Sequence, residues 1–332
     1  MIITLTPNPS LDKTVELDAP LAPGAVQRAV RASAEPGGKG VNISRALVAA
    51  GQETLAVLPG DAADPVLAAL REIHVPHRGL ALGEAVRTNI TVTDPAGTTT
   101  KINEPGPAFD TVRTQALLSL TLSSADGASW AALAGSLPPG VPTDFYAQVI
   151  TGLRTACDGR TPKIALDSSG PALAAAVAAE PELIKPNGEE LLELVTLLTG
   201  QAPLFPDGTS IRAEELERRP DDVLRLVRTT QDHGVRAALV TLGAHGALFV
   251  PAEPEAQVLR AWGPELVARS TVGAGDASLA GFLLADQLGR STADRLRQAA
   301  AQGRAAAALP GSVMPSPEDL DLDVVVVEPH PA

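Results

Sequence analysis

Ser270-Thr-Val-Gly-Ala-Gly-Asp276 sets an acid directly after a glycine turn and directly before the apolar run Ala277 to Leu288. Gly273 and Gly275 leave the main chain bare on both sides of Ala274. A glycine turn feeding a helix start presents unpaired N–H groups and the positive end of the helix dipole, a combination suited to phosphate. An aspartate fixed there is an acceptor beside the bound anion. Asp276 is therefore a candidate general base for a hydroxyl attacking phosphorus. Aspartate is also a favoured helix cap, and glycine is common in turns. The heptad by itself leaves both readings open.

A second glycine turn precedes a second helix in Pro36-Gly-Gly-Lys-Gly-Val-Asn-Ile-Ser-Arg-Ala-Leu47. Lys39 lies inside this turn and Asn42 follows one helical turn later. The spacing is neither G-x-x-x-x-G-K-[ST] nor G-x-G-x-x-G, which disfavours a Walker A loop and a dinucleotide fingerprint. Glycines that let a ligand approach the main chain fit a small sugar or phosphate group; a flexible entry loop is the plainer alternative. Asp12, after the first predicted strand, is either a polyol ligand or an ordinary turn aspartate. Arg87 and Lys101 either bind phosphate or keep a sheet edge soluble, and for Lys101 the second reading is preferred. His74, His77 and His233 are scattered and suggest no zinc cluster, and His245 is given no chemistry.

These residues need a frame that gathers them. Ile2 to Leu5 reads as a buried strand that exits into Thr6-Pro-Asn-Pro9. Val86 to Thr93 alternates with period two and pairs with Thr98 to Asn103 across Asp94-Pro-Ala-Gly97, a half-wet hairpin. From Thr111 the pattern alternates helix and strand, which implies a mostly parallel sheet with helices on both faces. Functional groups are then expected just beyond the carboxyl ends of strands. Asp12, Gly135, Asp167, Asn187, Glu190 and Gly243 all fall at such ends. Gln201 to Pro220 reads as a surface insertion, and Val324 to Val327 as a last strand or a tail.

The chain has 332 residues, 45% of them hydrophobic, enough for a sizeable core. Its formal net charge of −13 argues against nucleic-acid or anionic-membrane binding through bulk charge. Aromatic residues make up 2%, which disfavours base-stacking surfaces. Cys157 is the single cysteine, so no disulfide framework or thiolate metal cluster is expected. No signal peptide is visible at Met1-Ile-Ile-Thr-Leu-Thr-Pro7, and no apolar run approaches ~18 residues. The expectation is a cytoplasmic protein with no membrane span.

Taken in order, Asn8-Pro-Ser-Leu-Asp12, Gly37-Gly-Lys-Gly-Val-Asn42, Gly135-Ser136, Asn187-x-x-Glu190, Thr241-Leu-Gly243 and Gly273-Ala-Gly-Asp276 resemble the PfkB branch of the ribokinase-like sugar kinases. The resemblance covers nearly the whole chain. Thr6-Pro-Asn-Pro-Ser-Leu-Asp12, Pro36-Gly-Gly-Lys-Gly-Val-Asn42 and Thr100-Lys-Ile-Asn-Glu-Pro-Gly-Pro107 are most similar to the 1-phosphofructokinase members. It implies one ribokinase-like α/β domain over residues 1–332, with a doubly wound, mostly parallel sheet. A small β lid built from about 10–30 and 86–104, through which two copies pair as a homodimer, is implied as well. It further implies ATP as phosphoryl donor, Mg²⁺ as its partner, and a small sugar phosphate as acceptor. On this resemblance Asp276 is the base, and Gly273, Ala274 and Gly275 form the anion hole. Asp12, Gly38, Lys39, Asn42 and Arg87 take the sugar-phosphate side. Lys185, Asn187, Thr241, Gly243 and Gly246 take the nucleotide side, with Glu190 and Asn187 organising Mg²⁺ through water. The implied reaction is phosphorylation of fructose 1-phosphate at its 6-hydroxyl to give fructose 1,6-bisphosphate. A tagatose-6-phosphate kinase or 6-phosphofructokinase is the near alternative, and a non-catalytic sugar-phosphate sensor the distant one. Ala277 departs from the serine that many relatives carry after the aspartate.

Overall fold

The computed structural model describes residues 1–156 and 161–331; Cys157 lies outside them. Every residue of β1 (Ile2–Leu5) is buried, as expected of a strand covered on both faces. It is followed by β2 (Ser10–Leu17), β3 (Ala29–Gly37), α1 (Lys39–Ala49), β4 (Thr54–Pro59), α2 (Pro65–Glu72), β5 (His77–Leu80), β6 (Arg87–Thr93) and β7 (Thr99–Asn103). Next come α3 (Thr111–Ser124), β8 (Trp130–Ala134), α4 (Phe145–Ala156), β9 (Lys163–Asp167), α5 (Gly170–Val177), β10 (Leu183–Ile184) and α6 (Gly188–Thr199). The chain ends with α7 (Ala213–Leu216), α8 (Pro220–Gln231), β11 (Ala237–Thr241), β12 (Ala247–Val250), β13 (Leu259–Trp262), α9 (Ala274–Gln287), α10 (Thr292–Ala308) and β14 (Val326–Pro329).

Ten strands form one sheet in the order β14-β13-β12-β11-β10-β9-β8-β1-β4-β5. From β11 to β5 the pairs are parallel, while β12, β13 and β14 add antiparallel pairs at one edge. The chain leaves β1 toward β4 and later returns to its other side as β8. That reversal opens a crevice at the carboxyl ends of β1 and β8. Successive strand residues face opposite sides, so Ile3 and Leu5 join a core against α3 to α8. Ile2 faces the other way, toward α1, α9 and α10. The fold is thus the doubly wound α/β architecture expected.

A separate four-stranded sheet has the order β3-β2-β6-β7. It extends further along the chain than the expected lid segment of 10–30, because β3 continues to Gly37 and runs straight into α1. Most of β3 is exposed, so it carries no burial alternation for a sequence reading to detect. Within 201–220, Phe205 and Leu216 are buried, so the stretch is anchored rather than a bare surface insertion. Val326 and Val327 open a true edge strand, β14, whose partner is β13, so the last-strand reading of 324–327 holds at its second half.

Candidate active site

The carboxyl ends of β1, β8, β9, β10 and β11 meet the starts of α1, α6 and α9. At α9, Gly273 takes the left-handed conformation (φ 77°), which glycine adopts without a Cβ penalty, and it turns the chain into the helix. Ala277 N–H donates to Gly273 O at 2.8 Å and is the first regular helical bond. The amide of Ala274 makes a 3.4 Å bond to Thr271 O, whereas those of Gly273, Gly275 and Asp276 have no protein acceptor. Of the three amides expected to receive an anion, those of Gly273 and Gly275 are thus free, that of Ala274 is engaged, and that of Asp276 is free beside them.

Asp276 is 7% exposed, and its Oδ2 accepts from Asn42 Nδ2 at 2.8 Å. Burial pushes its carboxyl up to about 6, and the neighbouring charge of Asp167 acts in the same direction. The Asn42 hydrogen bond and the charges of Lys185 and Lys39 pull against that rise. A base poised near working pH is what proton abstraction from a hydroxyl needs.

Asp167, a strand-end residue with no role assigned from sequence, is fully buried between two lysines. Its Oδ1 accepts from Lys39 Nζ at 2.8 Å, and its Oδ2 lies 3.2 Å from Lys185 Nζ. Burial alone would raise its pKa, but Lys185 and Lys39 hold it below the usual carboxylate range. A buried carboxylate persists only when paired in this way. A Cβ on Gly275 would stand 3.2 Å from Lys185 Nζ, so this cation sits against the opening of α9.

Lys39 differs from its expected place on the sugar-phosphate side. Its ammonium also meets Glu190 Oε1 at 2.8 Å, spanning the carboxyl end of β9 and the first turn of α6. Burial would lower its pKa, but the carboxylates of Asp167 and Glu190 outweigh that and raise it. Asn42 likewise turns its amide to Asp276. Gly38, with φ 113°, caps α1, and a Cβ there would stand 2.7 Å from Thr6 Cγ2.

The remaining sugar-side residues gather on the small sheet. Asp12 Oδ1 accepts from Ser10 Oγ at 2.7 Å and Asn89 Nδ2 at 3.0 Å. Arg87 donates to Glu104 O at 3.3 Å; burial lowers its pKa and the charge of Asp12 opposes that in part. Thr6 Oγ1, Asn8 Oδ1, Asn89 Oδ1 and Arg87 Nε are buried with no partner among the described residues. Buried polar atoms are nearly always satisfied, so this group marks a place for a polar ligand. Asn8 and Asn89 escaped the sequence reading as site residues, although Asn8 stood in the Asn8-Pro-Ser-Leu-Asp12 run.

Among the residues expected on the nucleotide side, Thr241 bridges to Asn187 and its N–H donates to Pro186 O at 3.0 Å. Gly243 opens a short 3₁₀ turn to His245, and Glu217 of the anchored stretch lies against it. Gly246 is held close to Ala261 O of β13, where any Cβ would clash. Burial raises the pKa of Glu217 despite the opposing charge of His245. Asn187 and Glu190 form a capping box: Asn187 Oδ1 accepts from Glu190 N at 2.8 Å, and Glu190 Oε2 from Asn187 N at 3.0 Å. Glu190 thus serves as a first-turn acid that caps α6.

Among the described residues no group of three or more His, Cys, Asp or Glu could hold a metal directly. Asp167, Asn187 and Glu190 nevertheless offer only hard oxygen donors within one corner. Such donors suit Mg²⁺ bound through its water shell.

The sequence matches the pfkB family carbohydrate kinases over residues 6–319. A 1-phosphofructokinase of Rhodobacter capsulatus is 34% identical over 331 residues, 96% of this chain and 94% of that protein. The ATP-dependent 6-phosphofructokinase isozyme 2 of Escherichia coli is 31% identical over 323 residues, 96% of each chain. Among solved structures, phosphofructokinase-2 from Escherichia coli in complex with potassium superposes with a TM-score of 0.82 at 30% identity, covering 96% of each chain.

Proposed function

The chain belongs to the pfkB family of carbohydrate kinases and is an ATP-dependent sugar kinase; within that class we propose that it phosphorylates fructose 1-phosphate. The γ-phosphoryl group of ATP passes to the 6-hydroxyl, giving fructose 1,6-bisphosphate and ADP. The observation that carries the phosphoryl transfer is Asp276, a buried carboxylate with its pKa raised to about 6 at a helix start with free amides, and the choice of sugar is supported by the similarity to a 1-phosphofructokinase.

The sugar hydroxyl hydrogen-bonds to Asp276, which takes its proton as oxygen attacks phosphorus. Asn42 fixes the carboxylate during that approach. The amides of Gly273, Gly275 and Asp276, backed by the α9 dipole, stabilise charge on the travelling phosphoryl oxygens. Lys185 adds a positive charge beside Gly275, and Asp167 holds that ammonium in place. Asp12, Asn8 and Asn89 bind the sugar hydroxyls, while Arg87 takes the phosphate the sugar already carries. Thr241, Gly243 and Gly246 form the nucleotide-side loops. Glu190, Asn187 and Asp167 would hold Mg²⁺ through water; when bound, the ion supplies charge neutralisation for the ATP phosphates.

The whole chain then works as one kinase domain whose lid is the small sheet. Val26, Val30 and Ile102 on and beside that sheet are exposed, which supports pairing of two lids in a homodimer. No described helix is long and apolar enough to cross a membrane, and we place the enzyme in the cytoplasm with its phosphorylated substrates.

The similarity to the 6-phosphofructokinase isozyme favours a second reading, attack by the 1-hydroxyl of a 6-phosphate sugar. Comparing kcat/KM for fructose 1-phosphate, fructose 6-phosphate and tagatose 6-phosphate decides between them, because specificity is that ratio. Fructose 1-phosphate is expected to lead by at least ~10-fold, the size of a well-placed contact of about 1.4 kcal/mol. A lead for either 6-phosphate overturns the assignment, and binding without ADP release would make the protein a sensor.

A further inference from the structure

The bond from Asn42 to the base has a second end. While Asn42 Nδ2 donates to Asp276 Oδ2 at 2.8 Å, its Oδ1 accepts from Arg45 Nη1 at 3.1 Å. Arg45 Nη1 also reaches Pro36 O at 3.0 Å, and Nη2 meets Glu35 Oε2 at 3.2 Å. Ser312, from the loop after α10, donates to the same Glu35 oxygen. Glu35 and Pro36 lie on β3, a strand of the small sheet, whereas Arg45 and Asn42 lie on α1. The Arg45 side chain is 9% exposed.

A carboxamide is asymmetric: only its NH₂ donates to a carboxylate, and only its oxygen accepts from a guanidinium. A flipped Asn42 would set oxygen against Asp276 and NH₂ against Arg45, losing both bonds for two repulsive contacts. Arg45 and Asp276 therefore fix the Asn42 amide from both ends, and Arg45 supplies the grip on the side away from the carboxylate. A guanidinium can grip a carboxylate and an amide oxygen together because its donors form a rigid, permanently charged fork.

We propose that Arg45 is a positioning residue for phosphoryl transfer that ties the Asn42 amide, and through it Asp276, to strand β3 of the small sheet. The base is held in working geometry while Glu35 and Pro36 are docked on α1, so seating of the sheet and readiness of the base become one event. This rests on reading Asp276 as the base. The other groups facing Asp276 are Asp167 at the end of β9, Lys185 after β10 and Lys39 at the start of α1; Arg45 acts through Asn42.

The test is a double-mutant cycle in kcat, with pH profiles, on Arg45→Met, Asn42→Ala and the pair, alongside Asp276→Asn. Arg45→Met is expected to lower kcat by ~10–100-fold with the sugar KM held within ~3-fold, as misplacement of a reacting group does. Its acid limb should move to higher pH, because an amide held from one end only favours the carboxylate less. In the Asn42→Ala background Arg45→Met should cost nothing further. Multiplied losses, or wild-type kcat in Arg45→Met, overturn the proposal. Should Arg45→Met fail to fold, Glu35→Gln carries the same cycle with a milder loss of ~3–10-fold. Wild-type turnover in Asp276→Asn would sink the base itself; a dead Asp276→Asn with multiplicative Arg45 and Asn42 losses would sink the coupling alone.

Discussion

Two glycine turns open two helices in this molecule, and they are put to opposite uses. Gly38 caps α1 and hands on a lysine; Gly273 caps α9 and hands on an aspartate. The α9 turn is rooted in the interior: every residue from Asp276 to Ala285 is buried. The α1 turn grows out of β3, most of which faces solvent. One helix start therefore holds a fixed carboxylate, and the other carries a cation out to Asp167 and Glu190. Local structure supplies amides and a dipole in both cases; the element behind each turn decides what else the site receives.

The largest break in this pairing should come from Asp276→Asn, which keeps the turn and removes the proposed base. Its kcat is expected to fall by ~10²–10⁴-fold while sugar-phosphate binding, read by calorimetry, survives. Turnover near the wild-type level would leave the α9 turn as a simple anion site.

Lys39→Met should follow. Asp167 would keep Lys185 alone, and Glu190 would keep its capping bonds. A kcat loss of ~10–100-fold is expected from misplaced phosphate-side groups. The acid limb of kcat/KM should also move up, since Lys39 no longer pulls the Asp276 pKa down. An unchanged profile would mean that the cation of the first turn is not felt at the second.

Stability sharpens the contrast in the other direction. The carboxyl of Asp276 is raised in the folded state to about 6, above an unfolded value near 3.9, so the native protein binds the proton more tightly. Its contribution to stability is thus most favourable below about pH 4, falls as pH rises to 6, and stays unfavourable above. Asp276→Asn should stabilise the fold by about 1–3 kcal/mol at pH 7.5 and by almost nothing at pH 4, read by urea unfolding. Equal gains at both pH values would assign the effect to packing.

The smallest effects separate the two caps. Gly273→Ala needs only the Met314 methyl to move, so about 1 kcal/mol for the left-handed backbone is expected. Gly38→Ala meets Thr6 and the Pro9 backbone at a φ of 113°, and should cost more. A reversed order in thermal midpoints would contradict the tighter packing assigned to the first turn.

Much of this was readable in the chain. The buried run of β1 and the helix–strand rhythm after Thr111 follow from patterns of burial, and they delivered the doubly wound sheet; the β6–β7 hairpin was legible from its residue types and its Pro/Gly turn, since β6 is half-buried throughout. The two glycine turns were legible because phosphate needs bare amides. Three things were not. β3 lies in the open, so it carries no alternation. Asp167 gains its meaning from Lys39 and Lys185, the first 128 residues away, and pairing at that range leaves no local mark. Glu190 presents the same letters whether it caps α6 or organises an ion, and the structure displays the first.

β3 joins α1 with only Gly38 between them. A nine-residue strand is a stiff arm of roughly 26 Å at about 3.3 Å per residue. Pivoting on Gly38, a turn of roughly 10° would carry Ala29 through roughly 5 Å but leave Glu35 and Pro36 displaced by about 1–2 Å, given that rise per residue. The sheet thus has the mechanics of a lever with unequal arms. Contacts made at its far end are geared down before they reach the catalytic group, and small departures at the fulcrum are read at the tip as large ones.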